Sequence, residues 1–223
     1  MIILAFDTST AACSAAVWRD GVILARRFAP MARGQSEALV PMIVAVMAEA
    51  GLSYDALSLI GVTVGPGAFT GVRIGLATAR AMGLAANRPV AGLLTTEAIA
   101  HNVPLSEREH RTLMVTIDAK RADVFVQPFG DDLTPLGEVR GVLPEAVPGL
   151  GYPSPLLVGD GAARVGPYLP EAALSNALGV PDAAVVAAVL AEKWASGQAL
   201  PPEPIYLRPP DVTLAGGAKP CVP

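Results

Sequence analysis

Two stretches of the chain follow one plan, and a repeated plan constrains architecture more than any single element does. The first half runs LAFDTSTAACSAAVW, then a glycine turn, then VILARRF. The second half runs MVTIDAKRADVFVQPF, then an acidic turn, then a third apolar stretch. In each copy an apolar strand ends at an aspartate, Asp7 or Asp118, and a polar turn leads into an alternating strand. Each copy later runs an apolar strand into a glycine corner: GVTVGPGAFTG around Gly65 and Gly67, and PLLVGDGAARVG around Gly159 and Gly161. Few residues are identical between the copies, so chance similarity is the alternative. The pattern predicts an α/β fold of two duplicated lobes, residues 1–105 and 106–223, the second carrying a proline-rich tail from about residue 200.

A chain of 223 residues can bury a sizeable core, and 52% hydrophobic against 16% charged residues excludes a disordered chain. A net charge of −4 argues against gripping nucleic acid alone, which normally needs a basic patch. It leaves room for a complex whose partner supplies the basic surface. Cys13 and Cys221 form neither a disulfide framework nor a zinc set. The N-terminus has no basic region, and Asp7 interrupts its apolar run, which argues against a signal peptide. No apolar run reaches the roughly 20 residues that span a bilayer. A cytoplasmic protein without a membrane partner is expected.

Strands are expected at 2–6, 12–18 and 21–29, the last two joined by the Arg19-Asp20-Gly21 hairpin. A first helix is expected at 36–50, capped by Ser36 and closed by Gly51. Its positions Leu39, Ile43, Val46, Met47 and Ala50 recur at helical spacing. Met42 and Val44 add apolar surface on other faces, which predicts burial on more than one side. A strand at 58–64 leads to a second helix at 70–87, where Gly71, Gly75, Ala79 and Gly83 recur every four residues. Such a stripe admits another backbone, either the chain's own sheet or a partner. Beyond it the pattern predicts a strand at 90–93, a helix at 95–102 and a polar linker at 103–111. The second lobe should hold strands at 112–117, 122–128, 134–140 and 156–158, with irregular loop at 141–155. A helix at 182–196, capped by Pro181-Asp182 and ended by Gly197, follows. An extended piece at 205–208 and a mobile tail beyond 212 complete the reading.

The corner after the 58–64 strand, a strand running through a Gly/Pro turn into a helix, is an anion-binding geometry. Backbone conformation alone is the favoured account of the glycines. Asp7 and Asp118 could hold a hydrated Mg²⁺ beside phosphates, but turn chemistry, in which Asp bonds to backbone two residues on, is the favoured reading. Neither turn carries a glycine that would admit a phosphate: Asp7 precedes Thr8-Ser9-Thr10, and Asp118 precedes Ala119-Lys120-Arg121. His101 and His110 lack metal-pair spacing, and Ser9 and Ser14 sit in no nucleophile elbow.

The segments ILAFDTST (3–10), RGQSEALVPMI (33–43), GVTVGPGAFTGVRIG (61–75), IDAKRADVFV (117–126) and PIYLRPP (204–210) together resemble the bacterial TsaB (YeaZ) family across nearly the whole chain. The resemblance implies the duplicated actin/Hsp70/hexokinase-like (ribonuclease H-like) fold. It also implies a non-catalytic subunit that pairs with TsaD and works with TsaE in threonylcarbamoylation of tRNA adenosine 37, touching tRNA only through the complex. Catalytic relatives carry a metal-binding H-x-x-x-H on the first helix; here the region reads RGQSEALVP, and Gly34-Gln35-Ser36 stands where many members have Asn-His-Ser. No catalytic residue, no metal and no cofactor in the isolated subunit are therefore expected. Asp7, Thr8, Gly65, Gly67, Asp118, Gly159 and Gly161 would border a vestigial nucleotide cleft. The first two helices, through Leu39, Ile43, Met47, Gly71, Gly75 and Ala79, are the expected partner surface, with homodimers when the partner is absent. Arg73 and Arg80 would serve either the partner or a solvated face. The rival reading is an ATP-dependent small-molecule kinase of the same superfamily.

Overall fold

The structure, a computed structural model, describes residues 1–207. The end of the expected extended piece at 208 and the tail beyond 212 lie outside the described residues.

Five strands build the first sheet: β1 Ile2–Asp7, β2 Ala12–Arg19, β3 Val22–Pro30, β4 Leu59–Thr63 and β5 Val90–Leu93, in the order β3-β2-β1-β4-β5. Five more build the second: β6 Thr112–Asp118, β7 Val124–Phe129, β8 Arg140–Val142, β9 Pro155–Val158 and β10 Ala173–Leu174, in the order β8-β7-β6-β9-β10. The two orders are the same when β6 is laid on β1. In each sheet the first three strands form an antiparallel meander, and the last two run parallel to the first. The repeat is thus present in the topology, and both aspartates close the equivalent central strand.

Alternation along β1 divides the first lobe's core. Leu4 and Phe6 face a cluster with helices α1 (Gln35–Ala50) and α2 (Phe69–Ala86). Ile3 and Ala5 face the opposite cluster, which holds Val186 and Leu190 of helix α6 (Ala183–Ala195). The remaining helices are short: α3 Thr95–Ala100, α4 Leu105–Arg108 within the expected linker, and α5 Ala162–Val165.

Two helices cross between the lobes. Helix α3, from the first half, packs on β6 and β7, and α6, from the second half, packs on β1 and β2. The expected assignment of everything after residue 105 to the second lobe is corrected accordingly. The first sheet is apolar on both faces and an apolar face must be buried, so α6 covers one of them; α3 in turn lies on the second sheet. Asp182 caps α6 by accepting from the Ala184 amide at 3.0 Å. The Arg26 guanidinium of β3 grips the same carboxylate from Nε at 3.0 and 2.9 Å.

Other differences have local causes. Helix α1 starts at Gln35, after Gly34 in a left-handed conformation (φ 98°), and Ser36 bonds to Glu37 instead of capping. It buries one face only: Leu39, Ile43, Val46 and Met47 are inside, whereas Val40 and Val44 are 53% and 54% exposed. The third strand of the second lobe is confined to Arg140–Val142 rather than 134–140. Residues 130–134 make a tight turn, with Gly130 donating to Thr134 at 2.9 Å, and Pro135 offers no amide to a ladder. Residues 141–155 are not uniformly irregular, since Pro144–Leu150 form a 3₁₀ helix. β10 and α5 are two and four residues long, too short to leave a periodic signal.

Candidate functional site

At the tip of β1, Asp7 is fully buried. Its Oδ1 accepts from the Ser9 amide at 3.0 Å, from the Ser9 hydroxyl and from the Thr63 hydroxyl, while Oδ2 has no partner among the described residues. Burial pushes this carboxyl up to about 6, against the hydrogen bonds from Ser9 and Thr63, which lower it. The Thr95 hydroxyl extends the network to Ser9 at 3.2 Å.

The glycine corner closes directly over this turn. Gly65 is left-handed (φ 101°), and its carbonyl accepts from the Thr95 amide at 2.8 Å. Gly67 lies against the Ser9 carbonyl and Gly71 against the Thr8 carbonyl, each so close that a β-carbon would overlap the oxygen. The Ala68 amide donates to Ser9 O, and the Thr8 hydroxyl to Gly71 O, both at 2.7 Å. The Ala68 amide, at the head of α2 where an anion would seek donors, is thus bound to the chain itself.

The second lobe repeats the closure with different chemistry. Gly159 (φ 110°) presses on the Thr116 carbonyl, and the Gly161 amide donates to that oxygen at 3.1 Å. Asp118 accepts from the Lys120 amide at 2.9 Å, as turn chemistry predicts, but also from Lys120 Nζ at 3.0 Å and Arg164 Nη1 at 2.7 Å. Asp160 accepts from the Asp118 amide at 2.8 Å and lies 3.6 Å from Lys120 Nζ. Burial alone would raise the Asp118 carboxyl, yet the bonds from Lys120 and Arg164 hold it below the usual range. Burial raises that of Asp160. Sequence reasoning missed Asp160 and Arg164; their spacing of four across the glycine corner was the available signal.

These residues fit a magnesium-bound nucleotide poorly. Asp7 is sealed from solvent, and Lys120 brings its ammonium to both Asp118 and Asp160, where a cation would sit. Among the described residues no three His, Cys, Asp or Glu side chains gather to hold a metal.

The expected partner residues divide. Leu39, Ile43, Met47 and Ala79 are inside the chain's own core, and Gly71 and Gly75 are buried against β1's tip and Val62. They are therefore corrected from partner contacts to internal packing, because the glycine stripe admits the chain's own sheet. The outward faces carry Val40 and Val44 on α1, and Phe69 (53% exposed) and Leu84 (87% exposed) on α2. Arg73 stacks on Phe69 and donates to the Tyr206 hydroxyl, and Arg80 donates to Pro202 O. Tyr206 was legible only as a residue of an extended tail.

Residues 29–181 match a family model described as TsaD: tRNA N6-adenosine threonylcarbamoyltransferase. An uncharacterised protein of Mycobacterium tuberculosis is 36% identical over 217 residues, 94% of this chain and 92% of that protein. The Escherichia coli protein named tRNA threonylcarbamoyladenosine biosynthesis protein TsaB is 34% identical over 132 residues, 59% of this chain and 56% of its own length. Among solved structures, YeaZ from Pseudomonas aeruginosa superposes with a TM-score of 0.78 at 27% identity, covering 92% of this chain and 99% of that one. An activator of 2-hydroxyisocaproyl-CoA dehydratase from Clostridium difficile, solved with bound ADPNP, reaches a TM-score of 0.51 at 11% identity, a likeness of fold alone. With the repeated sheet order, these establish the duplicated two-lobe α/β fold.

Proposed function

The chain belongs to the TsaB/YeaZ family, and from that premise we propose that it serves threonylcarbamoyladenosine biosynthesis on tRNA as an interaction subunit rather than as the catalyst. Its partner is a TsaD-type transferase, joined by TsaE in the larger complex, and tRNA is reached only through that assembly. The supporting observation is a contrast between two surfaces. Asp7 Oδ1 and the Asp118 carboxylate, at the turns expected to border a cleft, are engaged by internal bonds, whereas α1 and α2 leave Val40, Val44 and Leu84 in water. Large apolar side chains on neighbouring outward helix faces favour a helix-on-helix interface. A homologous partner would bring an equivalent helix pair, and in its absence a second copy would take its place at high concentration.

The kinase reading draws no support from the phosphate-facing turns, where Lys120 bridges the acids and Asp7 is sealed. A Pseudomonas aeruginosa protein of this fold is likened to a peptidase, and a peptidase needs an activated nucleophile. Ser9 instead donates its hydroxyl to buried Asp7.

The test is capture of the TsaD-type protein of the same organism by Val44→Asp and Leu84→Asp variants. Both positions are exposed, so the variants should melt with the wild type. An unpaired charge in an interface core costs several kcal/mol, and capture should be lost. Wild-type capture by folded variants would sink the reading.

A further inference from the structure

We propose that Arg73 is the polar anchor of the partner surface, a guanidinium held ready for a carboxylate of the partner protein. The proposal rests on the partner-subunit reading above. Arg73 lies one turn into α2, with its guanidinium carbon 3.3 Å from the Phe69 ring centroid and 5.5 Å from that of Tyr206. Its Nε donates to the Tyr206 hydroxyl at 3.0 Å, and the two rings stand 6.0 Å apart. An exposed arginine otherwise samples many rotamers, a freedom lost on binding. Here the free chain has already ordered it.

The C-terminal strap supplies that order. Gly92 and Leu200 exchange amide-to-carbonyl bonds at 2.7 and 3.1 Å, Arg80 holds Pro202 O at 2.8 Å, and the Ile205 amide donates to Val64 O at 2.9 Å. Leu200 and Ile205 also pack on the first lobe's core. The strap therefore arrives at the head of α2 in a fixed place and brings Tyr206 against Arg73.

With Nε engaged, the terminal nitrogens of Arg73 have no acceptor among the described residues. Arg26, Arg27 and Arg164 are by contrast paired with Asp182, Glu49 and Asp118. Two parallel N–H donors match a carboxylate, and a flanking ring strengthens the contact once water leaves. Arg73 stands three turns before Leu84 on the exposed side of α2, so the anchor heads the apolar face. Arginine with aromatic neighbours is also the composition that dominates binding energy at interfaces. A net charge of −4 favours a protein carboxylate over a nucleic-acid phosphate.

Calorimetric titration against the TsaD-type protein of the same organism tests this with wild type, Arg73→Ala, Arg73→Lys, Tyr206→Phe and Val44→Asp. Arg73→Ala should weaken binding by about 30-fold, and Arg73→Lys by at least about 10-fold, since an ammonium keeps the charge but loses the fork and the stack. Tyr206→Phe should cost about 3-fold. If Arg73→Ala binds within twofold of wild type while Val44→Asp fails to bind, the anchor is overturned and the subunit reading stands. If Val44→Asp also binds normally, or the wild type does not bind, both fall. If Arg73→Lys binds as wild type, a point charge suffices and the fork is overturned. A loss confined to mixtures containing tRNA would assign the guanidinium to phosphate and overturn the proposal.

Discussion

Gly67 sits so tightly on Ser9 that a β-carbon there would overlap the Ser9 carbonyl oxygen, while the neighbouring Ala68 amide donates to that same oxygen at 2.7 Å. The contact joins the glycine corner to the turn after β1, and backbone on both sides leaves nothing flexible to give way. Gly67→Ala should destabilise the chain by about 2–4 kcal/mol, at the upper end of overpacking effects. Gly166→Ala, at a helical φ of −47° with open space where the methyl would go, should be neutral or slightly stabilising. Urea unfolding of the two variants beside the wild type measures the difference; equal midpoints would remove the argument.

Asp7 should give the chain a stability that declines from acid to neutral pH. Burial holds its carboxyl up at about 6 in the folded chain, against an ordinary 3.8. Below the lower value both states hold the proton. Between the two, the unfolded chain releases it and the folded chain does not, so stability falls as pH rises; above the upper value the loss is complete. At about 1.36 kcal/mol per unit the loss is roughly 3 kcal/mol. Asp7→Asn keeps an Oδ1 acceptor for Ser9 and Thr63 and carries no charge. From pH 3.5 to pH 7.5 the stability gap should shift by about 3 kcal/mol in favour of the variant. Parallel pH profiles of the two proteins would contradict this.

Asp182 holds two structures together, the amino end of α6 and the Arg26 guanidinium of β3. Asp182→Ala removes both and should cost about 2 kcal/mol. Asp182→Ser keeps a capping oxygen and should cost about half as much. Because α6 covers the first sheet, amide exchange in α6 should accelerate more than in β7. Unchanged exchange throughout α6 would show that the apolar contacts alone seat it.

The expected cleft between the lobes should bind Mg-ATP weakly in the isolated chain. Lys120 and Arg164 already engage Asp118, and Asp7 is closed off by the turn above it. Calorimetry should show no binding tighter than about 1 mM, near the weak end of ligand affinities. A micromolar constant abolished by Asp7→Ala would restore the kinase reading.

Much of this protein was legible in its residues. The aspartate-ended strands and glycine corners predicted two copies of one lobe, because strand alternation and turn chemistry are local properties that a linear chain displays. The same local rules located α1, α2 and α6 to within a residue or two and identified Asp182 as a cap and Gly51 as a stop. What only the tertiary structure decided is which surface each residue faces. Helical spacing marks Leu39 and Ile43 as one side of α1 but cannot say whether that side meets the chain's own sheet or a partner; packing placed it inward and left Val40 and Val44 outward. Likewise the glycines of α2 announce a close backbone approach, and the fold supplied Thr8 and Val62 as the neighbours. The exchange of α3 and α6 between lobes, the seat of Lys120 between Asp118 and Asp160, and the meeting of Arg73 with Tyr206 join residues far apart in the chain or across a turn. Their positions follow from burying two sheets at once, a condition on the whole molecule that no sequence window contains.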